Sequence, residues 1–236
     1  MANPENIRLF QFDPAWGLPS PSPFCLKLET FLRMNDLPYE VVPGARLDHA
    51  PKGGMPYIEF EGRALGDSGF IIAFLKKRFA IDPDADLSAT DLAVAHAIRR
   101  MLEEHMYWVM TYSRWLEDEN APLLLQALFG ALPREVADSV FGEIKEQVRR
   151  NIFGHGLGRH SREEMYSLGI DDVTALSAFL ADKPYAMGEQ ATTLDATIYG
   201  FMAALLVPPI VSPLKTAAQA MPNLVRYTER MRSRYF

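Results

Sequence analysis

The chain has 236 residues, of which 48% are hydrophobic and 23% charged, and its formal net charge is −6 at pH 7. This apolar content supports a sizeable core and excludes a globally disordered chain. The acidic balance, without any basic block, argues against a surface that binds nucleic acid or anionic lipid. The single cysteine, Cys25, excludes an internal disulfide framework and a cysteine-rich metal site.

No targeting signal is predicted. Residues 1–6 have neither a basic start nor the apolar core of a signal peptide. The longest apolar run, Phe201 to Val211, is interrupted by Pro208 and Pro209 and is far shorter than the ~20 residues that span a bilayer. We therefore expect a soluble, cytoplasmic protein with no membrane partner and no nucleic-acid partner.

The first third of the chain alternates short apolar strands with helices. The predicted elements, in chain order, are a strand over 7–12, a helix from Ser22 to about Met34, a strand over 39–42, a hairpin of strands 57–60 and 63–65, and a helix that starts at 66–68 and ends near Phe79. A strand–helix–strand unit makes a right-handed crossover, so the first two strands should be parallel. The hairpin then adds an antiparallel edge.

The rest of the chain is predicted to be helical. Residues 81–88 are acidic, contain proline and lack a periodic apolar face, which is typical of a linker between domains 1–80 and 89–236. The predicted helices cover 90–117, 121–129, 133–153, 161–181, 192–207, 212–220 and 223–234. Thr192 and Asp195 form a capping signature, to which we assign a folding role.

The helix that starts at Ser22 begins beside a candidate anion site. Ser22 is a good N-cap, and Pro23 suits the first helical position because its missing N–H would be unpaired there anyway. The Ser22 hydroxyl should therefore lie beside a row of free backbone N–H groups. A thiolate can sit in such a place.

Four short motifs occur in an order that is typical of a known family. They are Ser22-Pro23-Phe24-Cys25, Gly54-Met55-Pro56-Tyr57-Ile58, Leu65-Gly66-Asp67-Ser68-Gly69-Phe70-Ile71 and Thr192-Thr193-Leu194-Asp195. With them the chain resembles the cytosolic glutathione transferase superfamily over nearly its whole length. The runs 22–34 and 156–161 are most similar to the failed-axon-connections and metaxin-like branch. The resemblance implies an α/β, thioredoxin-like βαβ–ββα domain followed by an all-helical domain.

The resemblance also implies a contact with the sulfur of glutathione, which would be a co-substrate. Ser22 matches the serine or cysteine that makes this contact in the family, with Ser20 as an alternative. Tyrosine-type enzymes carry their tyrosine near the end of strand one, where this chain has Phe10 and Phe12. Cys25 falls where the second cysteine of a glutaredoxin-like motif would be, and we interpret it either as a buried cysteine or as a reactive thiol.

Two further motifs are implied to bind the rest of glutathione. The Met55–Pro56 bond is expected to be cis, so that the Met55 backbone pairs with the cysteinyl backbone like an extra strand. Asp67 and Ser68 open a helix whose free N–H groups, with the Ser68 hydroxyl, would hold the γ-glutamyl carboxylate. Asp67 would take the ammonium group, although the family more often has Glu or Gln at that position.

The resemblance also implies the remaining parts of a substrate site, because in the family the first helix of the second domain borders the substrate cleft. Either Lys52 or Arg46 could pair with the glycyl carboxylate of glutathione. An aromatic cluster on the first helix of the second domain could line an apolar pocket for the second substrate, namely Tyr107, Trp108, Tyr112 and Trp115. No metal site is expected, because His155 and His160 lie in a glycine-rich loop without nearby cysteines.

The sequence therefore favours a glutathione transferase that stabilises the glutathione thiolate at Ser22 for attack on a small electrophile. The resemblance implies a homodimer. One alternative is a non-catalytic module that keeps the fold for protein contacts, as in metaxin-like relatives. Another is a glutathione-dependent thiol oxidoreductase that acts through Cys25.

Overall fold

The computed structural model describes residues 6–236, and it begins with a four-stranded mixed sheet. The strands are β1 (Ile7–Phe10), β2 (Tyr39–Val42), β3 (Tyr57–Phe60) and β4 (Arg63–Gly66), in the order β2-β1-β3-β4. β1 and β2 are parallel, whereas β3 is antiparallel to both β1 and β4. Helices α1 (Pro23–Met34) and α2 (Ser68–Phe79) complete the unit. The predicted thioredoxin-like βαβ–ββα domain is confirmed.

Strand β1 ends two residues earlier than the predicted strand over 7–12. Its pairing with β2 ends at Phe10 and Val42, because Pro43 follows β2 and the chain turns away from the sheet there. Gln11 is left without a partner strand and instead buries its side chain, where Nε2 donates to Glu29 Oε2 over 2.9 Å.

Within the described residues, every regular element after β4 is helical, as predicted. The helices are α3 (Ala89–Arg100), α4 (Tyr107–Trp115), α5 (Ala121–Phe129), α6 (Arg134–His155), α7 (Arg162–Leu180), α8 (Thr193–Leu206), α9 (Pro213–Gln219) and α10 (Pro222–Tyr235). Residues 81–88 contain neither helix nor strand. The linker is nevertheless tied to both sides, because Asp84 accepts from Lys76 Nζ over 2.9 Å and from the Thr193 N–H over 2.8 Å.

The predicted helix over 90–117 is one helical run with a change of winding in its middle. Met101–Met106 form a π-helical segment between α3 and α4. A π segment accommodates extra chain within a helical turn, and such segments are frequent at functional sites. Here Glu103 of the segment contacts Lys27 of α1.

Helix α1 is shared between the cores of the two halves. Leu26 packs in the apolar cluster of the helical half, whereas Leu28 and Phe31 pack in the cluster beneath the sheet. α1 crosses α8 at Gly200, where a Cβ atom would lie 2.6 Å from the Pro23 carbonyl oxygen. The close approach needs glycine, and it fixes the start of α1 against the helical half.

Within the described part of the chain, no helix is long and apolar enough to cross a membrane. The predicted absence of a signal peptide concerns residues 1–6, of which 1–5 lie outside the described residues.

Candidate functional site

A cleft of about 660 Å³ opens between the sheet domain and α3. Its walls come from the first turns of α1, the loop before β3, the N-terminus of α2 and the last turn of α3 with the π segment. The residues on which the site depends are Phe24, Lys27, Lys52, Met55, Pro56, Asp67, Ser68, Phe70, Arg99 and Glu103. With Thr193 also in the wall, the cleft brings together residues of all four motifs found in the sequence.

The loop before β3 contributes the Met55–Pro56 peptide bond, which is cis. Met55 is buried beside Phe10, Cys25 and Tyr57, so its side chain anchors the loop to the sheet. Met55 and Pro56 both line the cleft, as expected for residues that pair with an extended ligand.

The N-terminus of α2 is held in an uncommon backbone conformation. Asp67 has φ 79° and ψ 117°, a region that side-chain-bearing residues rarely adopt. Its Oδ1 accepts from the Gly69 N–H over 2.8 Å and from the Phe70 N–H over 3.2 Å, which stabilises the turn. Such outliers concentrate at ligand-binding sites, and this one places Asp67 and Ser68 in the wall of the cleft.

A buried ion pair forms part of the cleft floor. Lys27 in α1 is 1% exposed, and its Nζ lies 2.6 Å from Glu103 Oε1 and 3.2 Å from Ser68 Oγ. Arg99 binds the other Glu103 oxygen over 2.8 Å. Burial lowers the pKa of Lys27 from its ordinary value, and the nearby Glu103 carboxylate opposes this shift.

The ion pairs of Lys27 and Arg99 with Glu103 were not identified from the sequence, although the position of Lys27 in α1 points to them. Lys27 follows Phe24 by three residues and precedes Phe31 by four, so it lies on the apolar face of α1. A lysine on a buried face needs an anionic partner. The partner, Glu103, comes from the other half of the chain, and only the tertiary structure identifies it.

Lys52 is the better placed of the two candidate cations for a ligand carboxylate. It lines the cleft with its Nζ 4.0 Å from the centre of the Phe70 ring, and within residues 6–236 it has no carboxylate partner. Arg46 is exposed and binds Asp48 over 2.6 Å, outside the cleft wall. Phe70 is 69% exposed, so Lys52 remains accessible from solvent.

Ser22 is the N-cap of α1, as the sequence indicates. Its Oγ accepts from the Cys25 N–H over 3.4 Å, and its neighbour Phe24 lines the cleft. Ser22 itself is half-buried and lies beside the cleft rather than in its wall. Ser20 is fully buried, and its Oγ accepts from the Ser22 N–H over 3.4 Å. Of the two serines, Ser22 is therefore the more accessible.

Cys25 is completely buried beneath the loop that carries Met55. Burial raises the pKa of its thiol from 9.0 to about 11, although hydrogen bonds with Ser22 and Ser20 act in the opposite direction. A thiol with this pKa is protonated at neutral pH and is a poor nucleophile. The geometry supports the interpretation of Cys25 as a core residue and argues against a reactive thiol.

The aromatic cluster of α4 lies outside the cleft wall. Tyr107 contacts the edge of Phe24, with ring centres 5.1 Å apart. Trp108 packs against His155 at 5.3 Å, and Tyr112 packs against Tyr166 at 5.8 Å. Trp115 stacks on Phe141 at 5.4 Å. Among these four ring pairs, that of Tyr107 with Phe24 is the one that includes a residue of the cleft wall, and a role of the cluster in binding a second substrate stays a prediction.

Metal-binding side chains are not clustered in the described part of the chain. No group of three or more His, Cys, Asp or Glu residues is placed to hold a metal ion. His160 lies 3.7 Å from Glu164, across one turn of α7, and His155 is engaged with Trp108.

Asp195 has the contacts of a folding residue. Its carboxylate accepts from the backbone N–H groups of Thr192 over 2.8 Å and Ala186 over 2.7 Å, and from the Tyr227 hydroxyl over 2.7 Å. These contacts cap α8 and join it to α10.

Comparison with known families gives two matches along the chain. The model for the glutathione S-transferase N-terminal domain matches residues 23–120, and the model for the glutathione S-transferase C-terminal domain matches residues 169–231. The chain belongs to the glutathione transferase superfamily. These matches include α1, the cis-proline loop, α2 and α8, which are the elements that build and support the cleft.

Relatives that match nearly the whole of this chain place it in a branch of the glutathione transferase superfamily. It is 34% identical to the isoprene-epoxide–glutathione S-transferase of a Rhodococcus strain, over 97% of this chain and 99% of the relative. It is also 34% identical to Failed axon connections of Drosophila melanogaster, over 98% of this chain but only 58% of that protein. Human Metaxin-2 is 24% identical over 99% of this chain and 90% of its own length. The predicted similarity to the failed-axon-connections and metaxin-like branch is confirmed.

Solved glutathione transferases share the fold. A glutathione S-transferase from Methylobacterium radiotolerans in complex with glutathione sulfonate has a TM-score of 0.63 at 14% identity, over 97% of this chain and 91% of that one. A family member from Pseudomonas fluorescens with two glutathione bound has a TM-score of 0.62 at 13% identity, over 100% and 95% of the two chains. The two-domain architecture is therefore that of the superfamily.

Proposed function

We propose that this protein is a glutathione transferase that binds glutathione in the cleft and promotes attack of its sulfur on a small electrophile. The observation that carries the proposal is the convergence of the cis Met55–Pro56 bond, Asp67, Ser68 and Lys52 on one cleft. Family membership and the relative named as an isoprene-epoxide–glutathione S-transferase support it.

The charged groups of the cleft match those of the tripeptide. Glutathione carries two carboxylates and one ammonium group at neutral pH. Lys52 would bind the glycyl carboxylate, and Ser68 at the start of α2 would bind the γ-glutamyl carboxylate. Asp67 would bind the ammonium group, and the Met55 backbone would pair with the cysteinyl residue between them.

Ser22 would then act on the sulfur. A free thiol has a pKa of about 8.5, and a hydroxyl donor together with helix N–H groups lowers it toward neutrality. At the start of α1 the Ser22 hydroxyl can donate while its oxygen caps the Cys25 N–H, and the positive end of the helix dipole adds to the effect of this donor. The protein contributes orientation and thiolate stabilisation, and it forms no covalent bond of its own.

A small epoxide is the electrophile that we propose to test first, because of the name of the Rhodococcus relative. The thiolate would attack a ring carbon, and the bond between that carbon and oxygen would break. The resulting alkoxide takes up a proton from water, which leaves a thioether and a hydroxyl group on neighbouring carbons.

The second candidate function is a protein-interaction module without catalysis. The similarity to Metaxin-2 over 99% of this chain favours it. The third hypothesis, an oxidoreductase that uses Cys25, is disfavoured because the thiol is buried and its pKa is raised to about 11.

Calorimetric titration with glutathione and turnover of a monosubstituted epoxide, with a chlorinated nitroaromatic in parallel, test the proposal. We expect saturable binding and glutathione-dependent loss of the electrophile above the rate without protein. Absence of binding at millimolar glutathione would overturn it. Recovery of a stoichiometric protein partner without glutathione binding would favour the second candidate.

We further propose that the protein is a cytoplasmic homodimer, as most glutathione transferases are. Light scattering coupled to size-exclusion chromatography tests the oligomeric state. A mass equal to one chain at micromolar concentration would contradict it.

A further inference from the structure

The buried ammonium group of Lys27 lies directly behind the part of the cleft where the proposed function places the γ-glutamyl group. Its Nζ contacts Ser68 Oγ over 3.2 Å and Glu103 Oε1 over 2.6 Å. Lys27 is 1% exposed, so water cannot substitute for either partner. The ammonium therefore has a fixed position and fixed partners at the floor of the cleft.

The hydrogen bond between Lys27 and Ser68 has a fixed direction. An ammonium group only donates, so Ser68 Oγ accepts from Lys27. The Ser68 hydroxyl proton must then point away from Lys27. Ser68 lines the cleft, and its hydroxyl is therefore left as a donor on the cleft side.

Two of the backbone donors that usually bind anions at a helix N-terminus are already engaged at the start of α2. Asp67 Oδ1 already accepts from the Gly69 and Phe70 N–H groups, over 2.8 Å and 3.2 Å. The Asp67 carboxylate also offsets the positive end of the helix dipole. A ligand carboxylate thus depends on Ser68 and on a nearby cation more than it would at an uncapped helix.

Cations supply the missing positive charge. Lys27 and Arg99 share the single Glu103 carboxylate, at 2.6 Å and 2.8 Å, so these three groups carry a net charge of one positive unit. Both cations lie near Gly69: a Cβ atom on that residue would be 4.0 Å from Lys27 Nζ and 3.9 Å from Arg99 Nη1. The two cations therefore lie at the start of α2, where Asp67 Oδ1, at 3.2 Å from the same Cβ position, balances their one unit of excess charge.

We propose that Lys27 is a positioning residue that directs the Ser68 hydroxyl proton into the cleft and thereby selects ligands with an α-carboxylate on their γ-glutamyl group. This inference rests on the proposed function and assigns a specificity role to a residue that does not itself touch the ligand. Glu103, from the helical half, holds Lys27 in place.

Two ligands that differ only in the relevant group test this inference. Glutathione has the α-carboxylate, whereas 4-aminobutyryl-cysteinyl-glycine lacks it and keeps the ammonium, the thiol and the glycyl end. We expect wild-type protein to bind glutathione about tenfold more tightly, the difference typical of a hydrogen bond to a charged group. Lys27→Met should lose about this factor for glutathione and leave the affinity for the analogue unchanged.

Controls separate positioning from a general effect on the fold. Lys77→Met removes an exposed lysine from α2, the helix that carries Ser68, and should leave both affinities unchanged. In a Ser68→Ala background, Lys27→Met should cause a clearly smaller loss than in wild-type protein, because the part of its effect that acts through the Ser68 contact is already gone. If Lys27→Met does not fold, Lys27→Gln, which keeps a polar group for Glu103, serves the same comparison.

The results distinguish the role of Lys27 from the proposed function itself. If wild-type protein binds neither ligand, the proposed function fails and this inference fails with it. If wild-type protein binds glutathione but Lys27→Met weakens both ligands equally, or neither, the role of Lys27 is overturned while the proposed function stands. An equal loss from Lys27→Met in the Ser68→Ala background and in wild-type protein would also overturn it.

Discussion

Arg114 in α4 donates from Nη1 to the carbonyl oxygen of Pro21 over 2.8 Å, and Pro21 directly precedes the N-cap of α1. The same guanidinium also donates to the carbonyl of Ala204 in α8. Burial lowers the pKa of Arg114 to about 10, so the group stays charged at neutral pH. The helical half thus fixes the position of the backbone that directly precedes Ser22.

Arg114→Met is expected to destabilise the protein by about 3 kcal/mol, because two buried carbonyl groups lose their donor. Urea unfolding followed by circular dichroism measures this. Arg149→Met is the matched control: Arg149 is exposed and pairs only with Glu146 over 3.3 Å, so its loss should change the free energy of unfolding by less than about 0.5 kcal/mol. Equal stability of the two variants would show that Arg114 does not support the loop.

Ser22 can be tested by separating its capping role from its proposed role at the sulfur. Ser22→Asp keeps a strong N-cap, so stability should be retained, but a carboxylate repels a thiolate and kcat should fall by about tenfold or more. Ser22→Ala should lose about 1 kcal/mol of stability as well as activity. The pKa of bound glutathione, read from thiolate absorbance, should rise in both variants. Unchanged absorbance titration in Ser22→Asp would assign the sulfur contact to another residue.

Lys52→Met and Arg46→Met are a matched pair of variants, each of which removes one of the two candidate cations. Lys52→Met should raise the KM for glutathione by about tenfold, because a charge-assisted contact with the glycyl carboxylate is lost. Arg46→Met should leave KM unchanged, since Arg46 is exposed and already paired with Asp48. The reverse outcome would move the glycyl end of glutathione to the loop around Arg46.

The buried thiol of Cys25 predicts a loss of stability at alkaline pH. Between pH 9.0 and about 11 the folded protein keeps the Cys25 proton while the unfolded chain releases it. The unfolded state binds fewer protons there, so the free energy of unfolding falls as pH rises. Cys25→Ala removes this contribution, and the difference in slope between wild type and variant isolates it from lysine and tyrosine titration.

The same burial predicts that native protein resists alkylation by iodoacetamide at mildly alkaline pH and reacts fully in urea. Cys25→Ser should retain glutathione-conjugating activity. Rapid modification of the native protein, or loss of activity in Cys25→Ser, would restore the thiol oxidoreductase as a candidate.

Gly200→Ala should destabilise the contact between the two halves. The added Cβ would lie 2.6 Å from the Pro23 carbonyl oxygen and 2.7 Å from the Lys27 nitrogen, and backbone atoms cannot move aside easily. Overpacking of this kind costs about 3 kcal/mol. Gly142→Ala in α6 is the control, because nothing lies within 4 Å of its Cβ position and alanine favours a helix by up to about 1 kcal/mol. Thermal unfolding of both variants makes the comparison.

Much of the fold follows from local signals in the sequence. Ser22 and Pro23 mark the start of α1, and the apolar spacing behind them marks its buried face. The hairpin of β3 and β4 and the start of α2 at Ser68 follow from turn residues and periodicity. These signals are local because caps, turns and amphipathic faces are set by residues a few positions apart.

The cleft was only partly predictable, because its floor joins residues that are far apart in the chain. The motif residues Met55, Asp67 and Ser68 lie in its wall, as the resemblance implied. The pair of Lys27 with Glu103 spans 76 positions, and nothing in either neighbourhood specifies the other. The aromatic cluster of α4 was assigned to the cleft because this helix borders the cleft in the family, whereas the turn of the helix directs most of the cluster to other packing contacts.

The π-helical segment at Met101–Met106 also has a consequence for insertions and deletions. Because such a segment accommodates extra chain within a helical turn, removing one residue here would restore α-helical winding and change the direction of the side chains inside the segment. Glu103 lies inside it and could then no longer meet both Lys27 and Arg99 while Val109 and Met110 stayed in the core. The bridge from Glu103 to these two cations therefore depends on the additional residue that the π segment holds.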